Sequence, residues 1–243
     1  MQNIVALIPA RSGSKRIKNK NIIQLGKHPM LSYSIAAAKS CKLIKDVYVT
    51  TDSIKISKIA NKYGAKTPFL RPKNISKDNS RDLSFFKHFI KYLNDNNKEI
   101  PELIVHLSPT VPFRDKNIIL KAINYINSKK QSTSLRSVNK INLTPYKIFK
   151  KNDIFLSGFF PDLKYEYYNM PRQKFCETYL PNGHVDIIKT SKIKNNNLHG
   201  NKILAFETDI TLDVDTIKDI KNIKKYINNK KYNYLNKFLW WEY

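Results

Sequence analysis

The sequence predicts an α/β fold with a mainly parallel sheet and helices on both faces. Three observations carry this. Short, branched apolar runs alternate along the chain with stretches of helical period. Runs and helices follow each other in β-α-β-α order, the order of parallel sheets. The chain has 243 residues, 41% of them apolar and 12% aromatic, enough for one sizeable α/β domain or two small ones.

The elements follow in order. Residues 3–9, "NIVALIP", read as the first strand, and a basic loop comes directly after it. Residues 30–41 have helical spacing, and residues 46–52, "DVYVTTD", form the second strand. Residues 53–64 read as a helix, with Ser53 as N-cap and Gly64 as its stop. Residues 65–72 form a short extended piece. Residues 82–94 are amphipathic, with Leu83, Phe86, Phe89, Ile90 and Leu93 on one face. A strand over 102–109, a helix over 116–128 and a strand over 132–138 follow. From about 139 to 178 the pattern changes. A hairpin is expected around Asn152 and Asp153, followed by the aromatic, basic stretch "KYEYYNMPRQKF". This segment reads as an arm inserted in a single domain spanning 1–243. Strands over 182–188 and 202–208 and a final helix over 215–229 complete the pattern. In the tail "KFLWWEY", Trp240 and Trp241 either pack on the body or serve a subunit contact.

Composition narrows the function. The net charge of +25 invites a nucleic-acid reading. The excess is mostly lysine, however, and lysine, asparagine and isoleucine are frequent along the whole chain, as AT-biased coding would give. No helix-turn-helix, zinc-finger or RNA-recognition signature is present, so nucleic acid is not the expected partner. No apolar run approaches the roughly 20 residues of a membrane span. The N-terminal run lacks a charged flank and is too short for a signal peptide, so a cytoplasmic protein is expected. Cys41 and Cys176 have no metal-ligand spacing and are expected to be reduced packing residues.

The loop after the first strand holds Arg11, Ser12, Gly13, Ser14, Lys15, Arg16, Lys18 and Lys20. Small residues after a strand can turn their N–H groups toward phosphate oxygens, and the cations neutralise the charge. The loop is not a P-loop, and its one glycine fails the dinucleotide fingerprint. On these residues alone, an anion site and a solvated basic turn both stand.

The stretch "IPARSGSKRIKNKNI" resembles the N-terminal signature of the acylneuraminate cytidylyltransferases, which make CMP-sialic acids and related CMP-nonulosonates. The matching positions are Ala10, Arg11, Ser14, Lys15, Ile17, Lys20 and Asn21. "VYVTTDS", "LRPKNISKDNS", "LSPTVPFR", "MPRQKFCETYLPNGHVDI" and "TLDVDT" resemble further family segments in the family's order, from position 4 to about 225. The resemblance implies a glycosyltransferase-A-like, Rossmann-type nucleotidyltransferase that joins CTP to a nine-carbon 2-keto sugar acid and releases pyrophosphate. It implies that Arg11, Ser14, Lys15, Lys20 and Asn21 hold the triphosphate. Arg71 and Asp78 would lie near cytosine and ribose. Ser108 takes the place of a family glutamine near the sugar; Asn182 would position the sugar, and Arg172 would meet its carboxylate. Asp213 and Asp215 would bind Mg2+. Lys20, Asp213 and Asp215 are the expected catalytic residues, with Asp213 a candidate base. The aromatic arm would serve a homodimer and place Arg172 across the interface.

The chemistry suits these residue types. Nucleotidyl transfer needs an aligned nucleophile, neutralised phosphates and a stabilised leaving group. Asp213 and Asp215 are two apart, so on a strand they share one face and can offer hard oxygen ligands to magnesium. Asp215 also reads as the N-cap of the last helix. His106 and His184 read as packing or hydrogen-bonding residues.

Departures from the family pattern fall at Ser108, Val111, His184 and Asp186, and at Arg81 and Asp82 beside the base. They leave the phosphate and metal positions intact and bear on sugar and base identity. The alternatives in the same chemistry are GTP with an aminosugar phosphate, or CTP with Kdo. The alternative of another class is a noncatalytic basic protein that binds nucleic acid.

Overall fold

A computed structural model describes residues 2–193, 197–209 and 211–239. Trp240 and Trp241 lie outside the described residues. In chain order the elements are β1 (Ile4–Pro9), β2 (Gln24–Leu25), β3 (His28–Pro29), α1 (Met30–Lys39), β4 (Asp46–Thr50), α2 (Ile54–Lys62), α3 (Asp82–Asp95) and β5 (Leu103–His106). Next come α4 (Ile118–Ser128), β6 (Ser134–Ile141), β7 (Phe149–Asn152), β8 (Phe155–Gly158), β9 (Thr178–Lys189), β10 (Ile203–Glu207), α5 (Ile217–Lys224) and α6 (Asn236–Leu239).

Six strands form the central sheet in the order β10-β6-β9-β5-β1-β4. The pairs β1–β4, β1–β5 and β6–β10 are parallel, while β9 runs antiparallel to both β5 and β6. The chain leaves β1 for β4 on one side and returns to β5 on the other. A crevice therefore opens beyond the carboxyl end of β1, where ligands bind in open α/β sheets. The basic loop begins there.

Both faces of the sheet are covered, because β1 alternates. Ile4, Ala6 and Ile8 pack with α1, α4 and the C-terminal elements, and Val5 and Leu7 pack with α3. Phe86 and Phe89 of α3 are fully buried, each contributing about 1.5–3 kcal/mol by burial. Phe85 is buried as well, and Ile90 packs at the rim. The Ser53 hydroxyl accepts the Ile56 N–H and caps α2, and Gly64 ends that helix region at φ 81°, a conformation open to glycine.

Four expectations are corrected. The last helix is shorter than 215–229, and its N-cap is Thr216, not Asp215: Thr216 and Asp219 form a reciprocal capping box. Residues 211–215 are irregular rather than strand, so Asp213 and Asp215 are held by loop contacts. Strand β9 extends to 12 residues, because its outer half pairs with β6 at the base of the arm. Cys41 is buried, but Cys176 is exposed; both are free thiols.

The hairpin β7–β8 turns at Asp153, whose φ is 53°. The arm has its own small aromatic core. Tyr146 stacks on Phe175 at 4.9 Å and lies 4.8 Å from Phe160, and Tyr167 is buried beneath them. The hairpin tip leaves Ile154, Phe155 and Leu156 between 64% and 74% exposed. Among the described residues, no helix is long and apolar enough to cross a membrane.

Candidate active site

The loop after β1 is built around fixed points. The Ser12 N–H and hydroxyl donate to the two Asp52 carboxylate oxygens, each at 2.7 Å, tying the loop to the end of β4. Asn19 adopts φ 57° and starts a single 3-10 turn, Lys20–Ile22, that turns Asn21 inward. The buried Asn21 amide donates to the Arg11 carbonyl at 2.9 Å. Asn21 thus braces the loop from within, and Arg11 and Lys20 are left facing the crevice.

That crevice is a cleft of about 360 Å³. Arg11, Gly13, Ser14, Lys20 and Asn21 line one wall; Arg71, Asp78, Arg81, Asp82 and Phe85 line the other; His106, Ser108 and Thr110 close its floor. Arg11 Nη1 lies 2.7 Å from Asp78 Oδ1, and Lys15 Nζ lies 3.0 Å from Asp78 Oδ2. The hydrogen bond from Lys15 and the nearby Arg11 charge hold the Asp78 carboxyl below the usual carboxylate range. Arg71 is 5% exposed and donates to the Thr50 carbonyl at 3.0 Å, with its guanidinium 5.5 Å from the Phe85 ring. Burial lowers the affinity of Arg71 for its proton, and Asp52 and Asp82 oppose that effect.

Lys20 joins this cleft to the carboxylate pair. Its Nζ donates to the Val214 carbonyl and to Asp215 Oδ1, both at 3.0 Å. The Val214 N–H donates to the Thr110 carbonyl at 2.9 Å, so the segment holding both aspartates is pinned to the cleft floor. The Asp213 carboxyl is pushed up, first by the atoms crowding it and then by the Asp215 charge; the Thr110 hydroxyl and Lys20 pull the other way. Arg16 lies 3.8 Å from Asp215.

This donor set fits magnesium. Two carboxylates repel each other across one residue, both offer hard oxygens, and the cation-bearing loop is adjacent. Among the described residues, no group of three or more His, Cys, Asp or Glu side chains could hold a metal. One or two carboxylates with substrate phosphates and water complete a magnesium sphere.

The residues expected around the sugar are dispersed. Ser108 lies on the cleft floor, its hydroxyl 2.7 Å from that of Thr110. The Asn182 amide donates to the Thr208 hydroxyl at 2.8 Å, and its carbonyl oxygen accepts the His184 N–H at 3.2 Å. Arg172 is on the arm, where Nη2 donates to Asn142 at 3.4 Å, and it lines a separate hollow with Lys140, Thr144 and Glu177. Within one chain Arg172 is not among the residues lining the cleft.

Sequence reasoning missed Arg114. It is fully buried and donates to the carbonyls of Ser108 (2.8 Å), Val111 and His184 (2.7 Å) and to the Ser34 hydroxyl (2.9 Å). Burial lowers its proton affinity to about 10. It ties the floor loop, α1 and β9 together. Its position in "PTVPFR" was visible; its burial was not. Asp52, the anchor for Ser12, was also missed, although it ends the quoted strand "VYVTTD". His184 is 5% exposed with neither ring nitrogen partnered, a packing residue as expected.

The family model described as Cytidylyltransferase matches residues 5–174. The chain is 35% identical over 215 residues to the N-acylneuraminate cytidylyltransferase of Escherichia coli O18:K1:H7, covering 87% of this chain and 49% of that protein. It is 38% identical over 122 residues to the pseudaminic acid cytidylyltransferase of Campylobacter jejuni, covering 50% of this chain and 52% of that protein. These matches span about half the length of the curated relatives. Among solved structures, a CMP:2-keto-3-deoxy-manno-octonic acid synthetase complexed with CTP superposes with a TM-score of 0.66 at 14% identity, over 93% of this chain and 98% of that one. A cytidylyltransferase from Leptospira borgpetersenii superposes with a TM-score of 0.61 at 16% identity, over 97% and 92%. The fold is that of the nucleotidyltransferases, and the chain belongs to the cytidylyltransferase family.

Proposed function

We propose that the protein is a magnesium-dependent cytidylyltransferase that activates a nine-carbon 2-keto sugar acid with CTP, giving the CMP-sugar and pyrophosphate. The observation that carries this reading is the Lys20 bridge. One ammonium group joins the cation loop to the segment that carries Asp213 and Asp215, which supports a reading with phosphates at the loop and a metal at the carboxylates.

In this reading Arg11, Ser14, Lys15 and Lys20 hold the triphosphate, with Asn21 bracing their loop. Arg71 and Asp78 border the nucleoside. The anomeric hydroxyl oxygen of the sugar attacks the α-phosphorus, and the bond to the bridging oxygen of pyrophosphate breaks. Asp213 receives the hydroxyl proton. Lys20 neutralises charge that builds on the leaving group. Asp213 and Asp215 would hold the magnesium, which supplies charge neutralisation at the phosphates when bound. Ser108 and Asn182 border the sugar side.

The arm completes the reading. Its exposed Ile154, Phe155 and Leu156 suit a homodimer contact, and Arg172 then serves the partner's cleft. The proposed compartment is the cytoplasm.

The test is pyrophosphate release with magnesium, crossing CTP, GTP, UTP and ATP against N-acetylneuraminate, legionaminate, pseudaminate, Kdo and glucosamine 1-phosphate. Release with CTP and one nonulosonate supports the reading. Release only with another nucleotide or with Kdo moves the specificity. Salt-dependent nucleic-acid binding with no turnover replaces the reading with a noncatalytic one.

A further inference from the structure

The cleft wall opposite the cation loop contains a strap, residues 72–81, that runs from Arg71 to the first residue of α3, Asp82. Both of its ends are fixed. The Arg71 N–H donates to the Thr51 carbonyl at 2.7 Å and its guanidinium to the Thr50 carbonyl at 3.0 Å. At the other end α3 is anchored by the buried Phe85 and Phe86. Between these ends little holds the strap down. None of residues 72–81 is buried, and Ile75, which lines the cleft, belongs to neither apolar cluster of the core.

The strap's own hydrogen bonds are local. The Ile75 N–H and the Ser76 hydroxyl donate to the Pro72 carbonyl, and the Ser76 N–H donates to the Lys73 carbonyl. Lys77 and Ser80 close a turn: the Ser80 N–H donates to the Lys77 carbonyl at 3.1 Å, and the Ser80 hydroxyl accepts the Lys77 N–H at 2.9 Å. That turn presents Asp78. Among the described residues, the hydrogen bonds and ion pairs that residues 72–80 make to the rest of the chain are those of the Asp78 carboxylate. Its two oxygens meet Arg11 Nη1 at 2.7 Å and Lys15 Nζ at 3.0 Å. A segment with few buried contacts and exposed backbone bonds opens locally at low free energy.

Asp78 therefore occupies donors that the reading above gives to phosphate oxygens. An ionised carboxylate only accepts hydrogen bonds and carries negative charge, as a phosphate does. An anion that reaches Arg11 and Lys15 competes with Asp78 for the same donors and is repelled by it. The other carboxylate that engages a loop cation is held differently. Asp215 meets Lys20, and its segment is pinned to the cleft floor by the Val214 N–H on the Thr110 carbonyl. Of the two, the strap is the one that can yield.

We infer that residues 72–81 are latched across the cleft by Asp78 while no nucleotide is bound, and that the nucleotide's phosphates open this latch by taking Arg11 and Lys15 from the carboxylate. The inference rests on the nucleotidyl-transfer reading above, in which those two cations hold the triphosphate. Two charge-assisted contacts keep the strap closed and the cations neutralised in the free chain. Phosphate oxygens replace both contacts, and the middle of the strap is released while Arg71 and α3 keep its ends in place. A ligand must engage both cations at once to displace the carboxylate, which favours a polyphosphate over a single phosphate.

The experiment uses inorganic pyrophosphate, which carries the phosphate charge without the nucleoside that Asp78 borders. Calorimetry in the presence of a chelator measures its binding to the intact chain, to Asp78→Asn and to Asp78→Glu. Hydrogen exchange follows the peptides that cover residues 72–81, and CTP with magnesium is titrated into the intact chain alongside. Asp78→Asn is expected to bind pyrophosphate about fivefold more tightly, the change expected from losing two partly exposed ion pairs. Asp78→Glu keeps the charge and is expected to stay within about twofold of the intact chain. Pyrophosphate is expected to speed exchange over 72–81 in the intact chain, and ligand-free Asp78→Asn is expected to exchange that fast already. The exchange response of the intact chain needs no variant. Equal or weaker pyrophosphate binding in Asp78→Asn overturns the latch. So does tighter binding with strap exchange unmoved by pyrophosphate and by the substitution, since only the loss of a nearby negative charge then remains. If the intact chain binds CTP but pyrophosphate binds neither it nor Asp78→Asn, this inference falls alone. If the intact chain binds neither CTP nor pyrophosphate, this inference and the proposed function fall together.

Discussion

Lys20 Nζ lies 3.0 Å from Asp215 Oδ1, joining two residues 195 positions apart in the chain. The contact links the first loop to the segment before the last long helix. Lys20 keeps only 17% of its side-chain exposure and Asp215 keeps 52%, so the lysine is the fixed member. Lys20→Met is expected to lower kcat by at least a hundredfold and to leave the fold intact, because the ion pair itself is partly solvated and contributes about 1 kcal/mol or less. Steady-state kinetics together with circular dichroism check this; full activity in Lys20→Met would remove the lysine from the mechanism.

Asp215→Ala is expected to abolish turnover without unfolding the protein, since Thr216 and Asp219 cap α5 without it. Chelating the divalent metal is expected to do the same to the intact enzyme, with recovery on adding magnesium. Unchanged pyrophosphate release in Asp215→Ala would end the metal assignment.

Arg114 is expected to be the costliest single residue to replace. It is fully buried and satisfies three carbonyls and one hydroxyl. Arg114→Met leaves those acceptors bare, and a loss of about 3–5 kcal/mol is expected. Arg114→Lys keeps the charge but not the fork geometry, so it recovers only part of that loss. Denaturant unfolding of both variants measures this. A loss below 1 kcal/mol in Arg114→Met would show that the floor loop holds itself.

Much of this was legible in the sequence, for physical reasons. The Ser53 cap and the Gly64 stop are local signals, and the structure uses both. The face of Leu83, Phe86, Phe89 and Leu93 is a period, and it packs as a period must. What could not be read was long-range. The antiparallel direction of β9 follows from the inserted arm, which returns the chain to the sheet from the opposite end. The anchoring of Ser12 by Asp52, and the burial of an arginine in "PTVPFR", depend on which strands become neighbours. Asp215 looked like a cap because an aspartate before a helix usually is one; Thr216, one residue later, formed the capping box.

His184 makes the fold sensitive to acid. Burial pushes its proton affinity down from the ordinary 6.5 to about 4. The unfolded chain therefore binds more protons between these values, and stability falls as pH falls through that window. At about 1.36 kcal/mol per unit, the loss reaches about 2 kcal/mol at pH 5. His184→Leu is expected to remove that part of the pH dependence and to keep stability at pH 7, because neither ring nitrogen has a partner to lose. Melting curves from pH 7 to pH 5 check it; identical slopes in both proteins would contradict the assignment.

The hairpin tip is expected to hold two subunits together. Phe155→Asp, at a residue 72% exposed within one chain, is expected to convert a dimer to monomers and to lower activity, while leaving the melting of the separated chain little changed. Analytical ultracentrifugation reads the first effect and kinetics the second. A monomeric intact protein with full activity would remove the arm from the site and Arg172 with it.

The most direct measurement follows the phosphorus. CTP labelled at the α-phosphate is incubated with the protein, magnesium and each sugar acid, and the products are separated and weighed by mass spectrometry. The expected result is one labelled CMP-sugar formed for each unlabelled pyrophosphate released. Label retained wholly in CTP with every sugar acid, or found in free CMP alone, would contradict nucleotidyl transfer to a sugar acid.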